Sequence, residues 1–275
     1  MRTLLALSAL CVGLGIVPHS AAIAAADDRC LAMVRVEKRC VEATIQGAGR
    51  PAVVFEAGFT GGQTLWKAVR DKVAQQTLTL TYERAGLGRS DPGPEPRSAK
   101  QIARELHALL KATKLPPPYI VVGHSAGGMY VRVFAHMYPK DVAGLVLVDP
   151  ATEDFYSRML AERSAEDVEK MGAPRGAVQQ WRALTESLDQ ASHSWPLPSV
   201  PTIIFTSAKP LGSWPLESAE DMRRFGESQL HLASQIPDSQ HIAVQDTDHL
   251  SILRADVISE QILKLIGAYR ADFAR

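Results

Sequence analysis

The stretch Tyr119-Ile120-Val121-Val122-Gly123-His124-Ser125-Ala126-Gly127-Gly128-Met129-Tyr130 constrains the fold of this chain more than any other. An apolar, β-branched run leads into a glycine-flanked serine, and a helical pattern follows. The spacing predicts a buried strand, a sharp turn and the start of a helix, with Ser125 at the tip. Such a turn closes its flanking backbone tightly, so Gly123 and Gly127 supply room, and Gly128 is expected to let the new helix approach the sheet. A serine there is exposed beside a helix N-terminus, whose free N–H groups favour developing negative charge. The pentapeptide G-x-S-x-G alone is weak. With Gly and Ser each at about 7% of residues, a chain of this length meets it by chance roughly one time in ten. The bland reading is a glycine-rich turn carrying an incidental serine.

The surrounding pattern argues for more. Pro51 to Glu56, Leu78 to Tyr82, Tyr119 to Val122, Ala143 to Val148, Thr202 to Thr206 and Ile242 to Val244 read as buried strands. Leu31 to Val36 and Val41 to Ile45 read as a hairpin or two edge strands. Helical spacing recurs between them. Thr64 to Gln75 places Leu65, Val69 and Val73 on one face, and Ser98 is positioned to cap a helix running to Ala112. Further helices run to about Met137, over about Leu216 to Gln235, and over Asp256 to Tyr269. Strands rich in Val, Ile and Leu, alternating with helices, predict an α/β fold: a mainly parallel sheet covered on both faces. Ligands of such a sheet gather at the carboxyl ends of its strands. Phe59, Ser125 and Asp149 all fall at such ends.

From Ala151 to Ser199 the pattern becomes charged and helical, and Pro196, Pro198 and Pro201 close it. This segment reads as a helical cap inserted after strand 6, the strand ending at Asp149. The expected organisation is a core of residues 27–150 and 200–275, with a cap over 151–199. Phe155, Tyr156, Met159, Leu160, Met171, Trp181, Leu184, Leu188 and Trp195 are candidates to face a substrate, although most apolar residues of a cap simply pack it on the core. Trp66 and His124 join Phe155 and Tyr156 as the candidate substrate-binding residues.

Residues 1–26 read as a signal peptide. Met1-Arg2 is a basic start, Leu4 to Val17 is almost wholly apolar, and Ala22-Ile23-Ala24 and Ala24-Ala25-Ala26 both suit cleavage. The expectation is a secreted or periplasmic protein with no stable membrane anchor. Removal of that segment leaves Cys30 and Cys40, an even count that suggests a disulfide in an exported chain. Basic and acidic residues balance at 30 each, which argues against a nucleic-acid partner. No cysteine or histidine cluster has metal-ligand spacing, and no metal or cofactor is expected.

Taken in order, these landmarks resemble the α/β-hydrolase superfamily over nearly the whole mature chain. The specific pieces are Glu56-Ala57-Gly58-Phe59, Tyr82 through Pro92, Gly123 through Gly128, Val146-Leu147-Val148-Asp149-Pro150, and Asp248-His249. The resemblance implies a nucleophile elbow at Ser125, a base at His249, and an acid between them in chain order. It also implies an oxyanion hole from the N–H groups of Ala126 and Phe59. The superfamily usually places its acid after the strand that is here Thr202 to Thr206. That loop, Ser207 to Trp214, holds no carboxylate. Some branches use an acid after the preceding strand, which makes Asp149 the candidate, with Glu217 and Asp221 as later alternatives. Asp149 also has a structural reading, as a cap for the segment that follows it.

The expected reaction is serine hydrolysis of a carboxylic ester. Ser125 attacks the carbonyl as His249 takes its proton, the acid steadies the imidazolium, and water releases the acyl group. Serine at the elbow argues against the epoxide hydrolase and dehalogenase chemistry of related enzymes that carry aspartate there. An aminopeptidase, an acyltransferase and a non-catalytic binding protein are the competing expectations, since fold alone does not decide function.

Overall fold

Nine strands and nine α-helices lie along residues 30–273, the part of the chain that the computed structural model describes. The proposed signal peptide lies outside the described residues. Strands β1 (Val34–Val36) and β2 (Arg39–Val41) form a small antiparallel hairpin. A Cys30–Cys40 disulfide ties its base, with the Cα atoms 5.2 Å apart. The strand expected from Val41 to Ile45 breaks at Glu42, whose N–H donates to Ser90 Oγ (2.9 Å). Beyond the break, β3 (Ala43–Gln46) joins the main sheet.

The chain continues through β4 (Ala52–Glu56), a short 3-10 turn (Gln63–Trp66), α1 (Lys67–Val73), β5 (Thr79–Tyr82) and α2 (Ala99–Ala112). Then come β6 (Tyr119–His124), α3 (Ala126–Met137) and β7 (Val142–Val148). Four helices follow: α4 (Glu153–Glu162), α5 (Ala165–Lys170), α6 (Arg175–Arg182) and α7 (Leu184–Ser192). The chain returns through β8 (Thr202–Ser207), α8 (Ala219–Ser234), β9 (Gln240–Val244) and α9 (Asp256–Phe273). Because of the break at Glu42, the insertion follows the seventh strand rather than the sixth.

The main sheet has the order β3-β5-β4-β6-β7-β8-β9, with β3 antiparallel and the other six strands parallel. From β4 the chain steps to one side to form β5, then to the other to form β6. Between β4 and β6 the order therefore reverses, and a crevice opens at the strand ends there. Alternate side chains build two cores. On one face Val53, Phe55, Val122 and Val148 meet Trp66, Val69 and Val73 of the first helical segment and Ile258, Ile262 and Ile266 of α9. On the other, Val54, Leu80, Val121 and Leu147 meet α2 and α3.

The insertion is stitched to the core by its polar groups. Ser98 precedes α2 in extended backbone, but its own side chain makes no capping bond. The donors are met from α7 instead. Ser187 Oγ accepts from the Ala99 N–H (3.0 Å) and Gln190 Oε1 from the Lys100 N–H (2.7 Å). Ser98 Oγ is taken up as an acceptor for Gln190 Nε2 at 3.3 Å.

Candidate active site

The chain between β6 and α3 turns on Ser125, whose φ of 54° and ψ of −125° lie outside the regions an L-residue prefers. Such a conformation costs about 1–3 kcal/mol and persists only where its surroundings hold it. They do so here. The Ser125 N–H donates to the Val148 carbonyl (3.0 Å), and the Ser125 carbonyl accepts from Gly128 (2.9 Å) and Ala151 (2.8 Å). The two motif glycines are required by contact. A Cβ on Gly123 would stand 2.5 Å from the Gly127 carbonyl oxygen, and one on Gly127 would stand 2.4 Å from that of Glu56. Gly128 serves differently from expectation: the atom its Cβ would meet, at 2.5 Å, belongs to Pro150 and not to the sheet.

Asp149 follows β7 fully buried, and its carboxylate reaches across to the end of β8. There it accepts from the Ser207 N–H (2.7 Å) and the Ser207 hydroxyl (2.6 Å). The same carboxylate bonds His249 Nδ1 at 3.0 Å, from the loop after β9. It does not cap α4, whose cap position is Thr152. The later carboxylates go elsewhere. Asp221 forms a capping box with Ser218 and pairs with Arg158 at 3.1 Å, while Glu217 is exposed. The strand after Asp149 thus offers a serine donor where a carboxylate was looked for, and Asp149 fills the space from the neighbouring strand.

His124, just before the elbow, donates from Nε2 to the His249 carbonyl oxygen (2.9 Å). Its ring lies 4.5 Å from that of His249, centre to centre. Burial, and secondarily the neighbouring His249, push its pKa down to about 3, so the ring is neutral. The Ser125 hydroxyl bonds the Tyr156 hydroxyl of α4 at 2.8 Å, and among the described residues it makes no hydrogen bond to His249. Burial pushes the Tyr156 phenol well up, which keeps it a proton donor.

Ser125, His124, Tyr156 and His249 open on one cavity of about 490 Å³. Gly58 and Phe59 form its wall beside the elbow, and a Cβ on Gly58 would come within 3.1 Å of Ser125 Cβ. The rest is mostly apolar: Leu65, Met159, Trp181, Trp214, Pro215 and Leu250, with no Asp, Glu, Lys or Arg among the lining residues. Phe59, Trp181 and Trp214 form a run of rings with centroids 5.3 and 5.9 Å apart.

Two expected substrate contacts are corrected. Trp66 is fully buried against Phe55 (5.1 Å) and under His124, because the helical turn that carries it faces the sheet. Phe155 turns into the core against Phe225 (5.1 Å), away from the cavity that its neighbour Tyr156 enters. Of the other cap candidates, Met159 and Trp181 line the cavity, Leu184 and Leu188 are core, and Met171 is exposed. Leu65, expected on one face with Val69 and Val73, packs against the core and also lines the cavity. Trp214 and Leu250 were not singled out. They sit in loops after β8 and β9, where no periodicity marks them.

A parallel sheet with a strained serine elbow after β6 and a histidine–aspartate pair beside it defines the class. A family model described as alpha/beta hydrolase fold matches residues 51–185, and the chain belongs to the α/β-hydrolase superfamily. It is similar to an uncharacterized protein, YqjL, of Bacillus subtilis, with 37% identity over 40% of this chain and 43% of that one. It is also similar to a (lyso)-N-acylphosphatidylethanolamine lipase of Mus musculus, with 33% identity over 37% of this chain and 30% of the lipase. These alignments span less than half the length of the curated relatives. Among solved structures, a thermophilic esterase from Thermogutta terrifontis superposes with a TM-score of 0.60 at 20% identity. That match covers 83% of this chain and 94% of the esterase, and it speaks to the fold.

Proposed function

We propose that this protein is an exported serine hydrolase that cleaves carboxylic esters through an acyl-enzyme. The observation that carries the reading is the His249–Asp149 hydrogen bond of 3.0 Å beside the Ser125 elbow, with both Ser125 and His249 opening on one cavity. Ser125 is the nucleophile. To react, its hydroxyl turns about the Cα–Cβ bond from Tyr156 to His249, whose Nε2 takes the proton. Nδ1 is already committed to Asp149, which fixes the tautomer and stabilises the imidazolium. The Ala126 and Phe59 N–H groups meet the oxyanion. His249 then returns its proton to the departing alcohol and activates the water that frees the acyl group. Tyr156, released from Ser125, donates to the bound substrate.

The lining speaks to the substrate. An aminopeptidase must hold an ammonium group, and no carboxylate lines this cavity. The aromatic run and Met159 favour an uncharged, apolar acyl group instead. The Cys30–Cys40 bridge suits an oxidising compartment, which supports export. The test is labelling with a fluorophosphonate probe, together with a panel of p-nitrophenyl esters of graded chain length and aminoacyl anilides. The expected result is modification at Ser125, turnover of esters but not anilides, and loss of both labelling and turnover in a folded Ser125→Ala variant. Ester hydrolysis at the wild-type rate in Ser125→Ala would defeat the assignment.

A further inference from the structure

Arg84 follows β5 and is buried under the turn that leaves β4, with its side chain 2% exposed. Its five N–H groups all find partners within the protein. Nη1 donates to Glu56 Oε1 (2.5 Å) and to the Ala57 carbonyl (2.7 Å). Nη2 donates to the carbonyls of Gly58 (2.6 Å) and Phe59 (2.8 Å). Nε donates to Gln180 Oε1 on α6, at 3.1 Å. The other oxygen of Glu56 accepts from the Tyr82 hydroxyl. One cation therefore grips three consecutive carbonyls of the turn after β4 and a side chain of the insertion. An isolated ion pair would need only Glu56.

The consequence follows from the geometry of the peptide bond. A trans peptide is planar, with its C=O and N–H on opposite sides. The Gly58 carbonyl belongs to the same peptide as the Phe59 N–H. Holding that oxygen on the Arg84 side turns the Phe59 N–H to the other side. The elbow lies against this peptide, since a Cβ on Gly58 would stand 3.1 Å from both Ser125 Cβ and His124 Nδ1. A cation bonded to the carbonyl also polarises the peptide and strengthens its N–H as a donor. Gln180 brings the insertion into the same arrangement, and the Tyr130 hydroxyl supports it at 3.3 Å.

Resting on the serine-hydrolase reading, we propose that Arg84 is the positioning residue of the oxyanion hole. It aims the Phe59 N–H at the carbonyl oxygen that takes the electron pair when the Ser125 Oγ–carbon bond forms, and Gln180 couples that aim to the seating of the insertion.

A pair of ketones tests this. An alkyl trifluoromethyl ketone is attacked by the serine and carries an oxyanion, whereas the matching methyl ketone only fills the cavity. Arg84→Lys keeps the charge, but its three donors cannot reproduce the planar fork. In that variant kcat should fall about 10²-fold, in the range seen when an oxyanion donor is lost. KM and methyl-ketone affinity should stay within about threefold, and trifluoromethyl-ketone affinity should fall in step with kcat/KM. Gln180→Leu should shift the same quantities in the same direction, by less. Should Arg84→Lys not fold, Arg84→Met combined with Glu56→Leu removes the buried pair as a unit and leaves neither charge unpaired. Wild-type kcat and trifluoromethyl-ketone affinity in a folded variant would overturn the proposal, as would equal loss for both ketones, which marks a collapsed pocket. Wild-type protein that does not label at Ser125 fails at an earlier step, and it removes the hydrolase reading together with the proposal.

Discussion

At the scale of single residues, Asp149 and His124 carry opposite electrostatic demands within a few ångströms of His249. Asp149 is buried yet well satisfied, accepting two bonds from Ser207 and bonding His249. Asp149→Asn keeps the shape and removes the charge an imidazolium needs, so kcat should fall by up to about 10⁴ while the fold survives. Asp221→Asn should spare kcat and lower stability by about 1 kcal/mol, because that carboxylate belongs to a capping box. Steady-state kinetics beside melting temperatures separates the two, and a reversed result would move the acid to α8. His124 makes a prediction about pH. Its folded pKa is pushed down to about 3, below the ordinary histidine value in the unfolded chain. Between those values the unfolded state binds a proton that the folded state refuses, so stability falls as pH falls. The slope should approach about 1.4 kcal/mol per pH unit below about pH 6.5 and flatten near pH 3. Urea titrations of wild type and His124→Gln from pH 7 to 4 should show a shallower acid loss in the variant. Parallel curves would show that other groups carry the acid sensitivity.

At the scale of elements, the α7–α2 contact predicts how the insertion is held. The first N–H groups of α2 are met by Ser187 and Gln190 rather than by Ser98. Ser187→Ala and Gln190→Ala should each cost about 1 kcal/mol, the usual worth of a capping bond. Ser98→Ala should cost less, and hydrogen exchange at Ala99 and Lys100 should rise only in the first two. Faster exchange at those amides in Ser98→Ala alone would reverse that ranking. This contact also marks the limit of what the sequence discloses. The elbow, the strands and Asp149 at a strand end were legible because they rest on local sterics and on a period of two or 3.6 residues. The capping acceptors lie 88 and 90 residues away in sequence, and no local pattern announces them. The same holds for Trp214 and Leu250, which loops bring to the cavity, and for the fate of Trp66 and Phe155. Apolar residues on one short helix can face a cavity or a core, and only the packing partner, Phe55 or Phe225, decides which.

At the scale of the whole molecule, the small hairpin packs Val36 and Val41 into the main core, is bonded to Asp91 through the Cys40 backbone, and is closed by its disulfide. Non-reducing mass spectrometry of the purified protein should find no free thiol at Cys30 or Cys40. Replacing both with serine should lower stability by at most about 3 kcal/mol, since the closed loop is short. The measurement is a urea midpoint, and an unchanged midpoint would show that the hairpin unfolds on its own below the main transition. Among the described residues no helix is long and apolar enough to cross a membrane.

The insertion leaves the sheet at the end of β7 and returns at β8, and these two strands are direct neighbours, pairing Val148 with Phe205. The strands are parallel and β8 begins beside Leu145, three residues before the end of β7, so the two roots lie about 11 Å apart. A segment rooted at two fixed points on neighbouring strands can be exchanged for another of different length without altering any strand register. Ser125, Asp149 and His249 all lie outside it. The molecule is thus divided like a handle and an interchangeable blade. Descendants of this chain, natural or made in the laboratory, can acquire new substrates by replacing residues 153–192. A successful replacement must still bring its own acceptors for the start of α2 and its own partner for Arg84 Nε. These few polar atoms are the fitting that any new blade has to match.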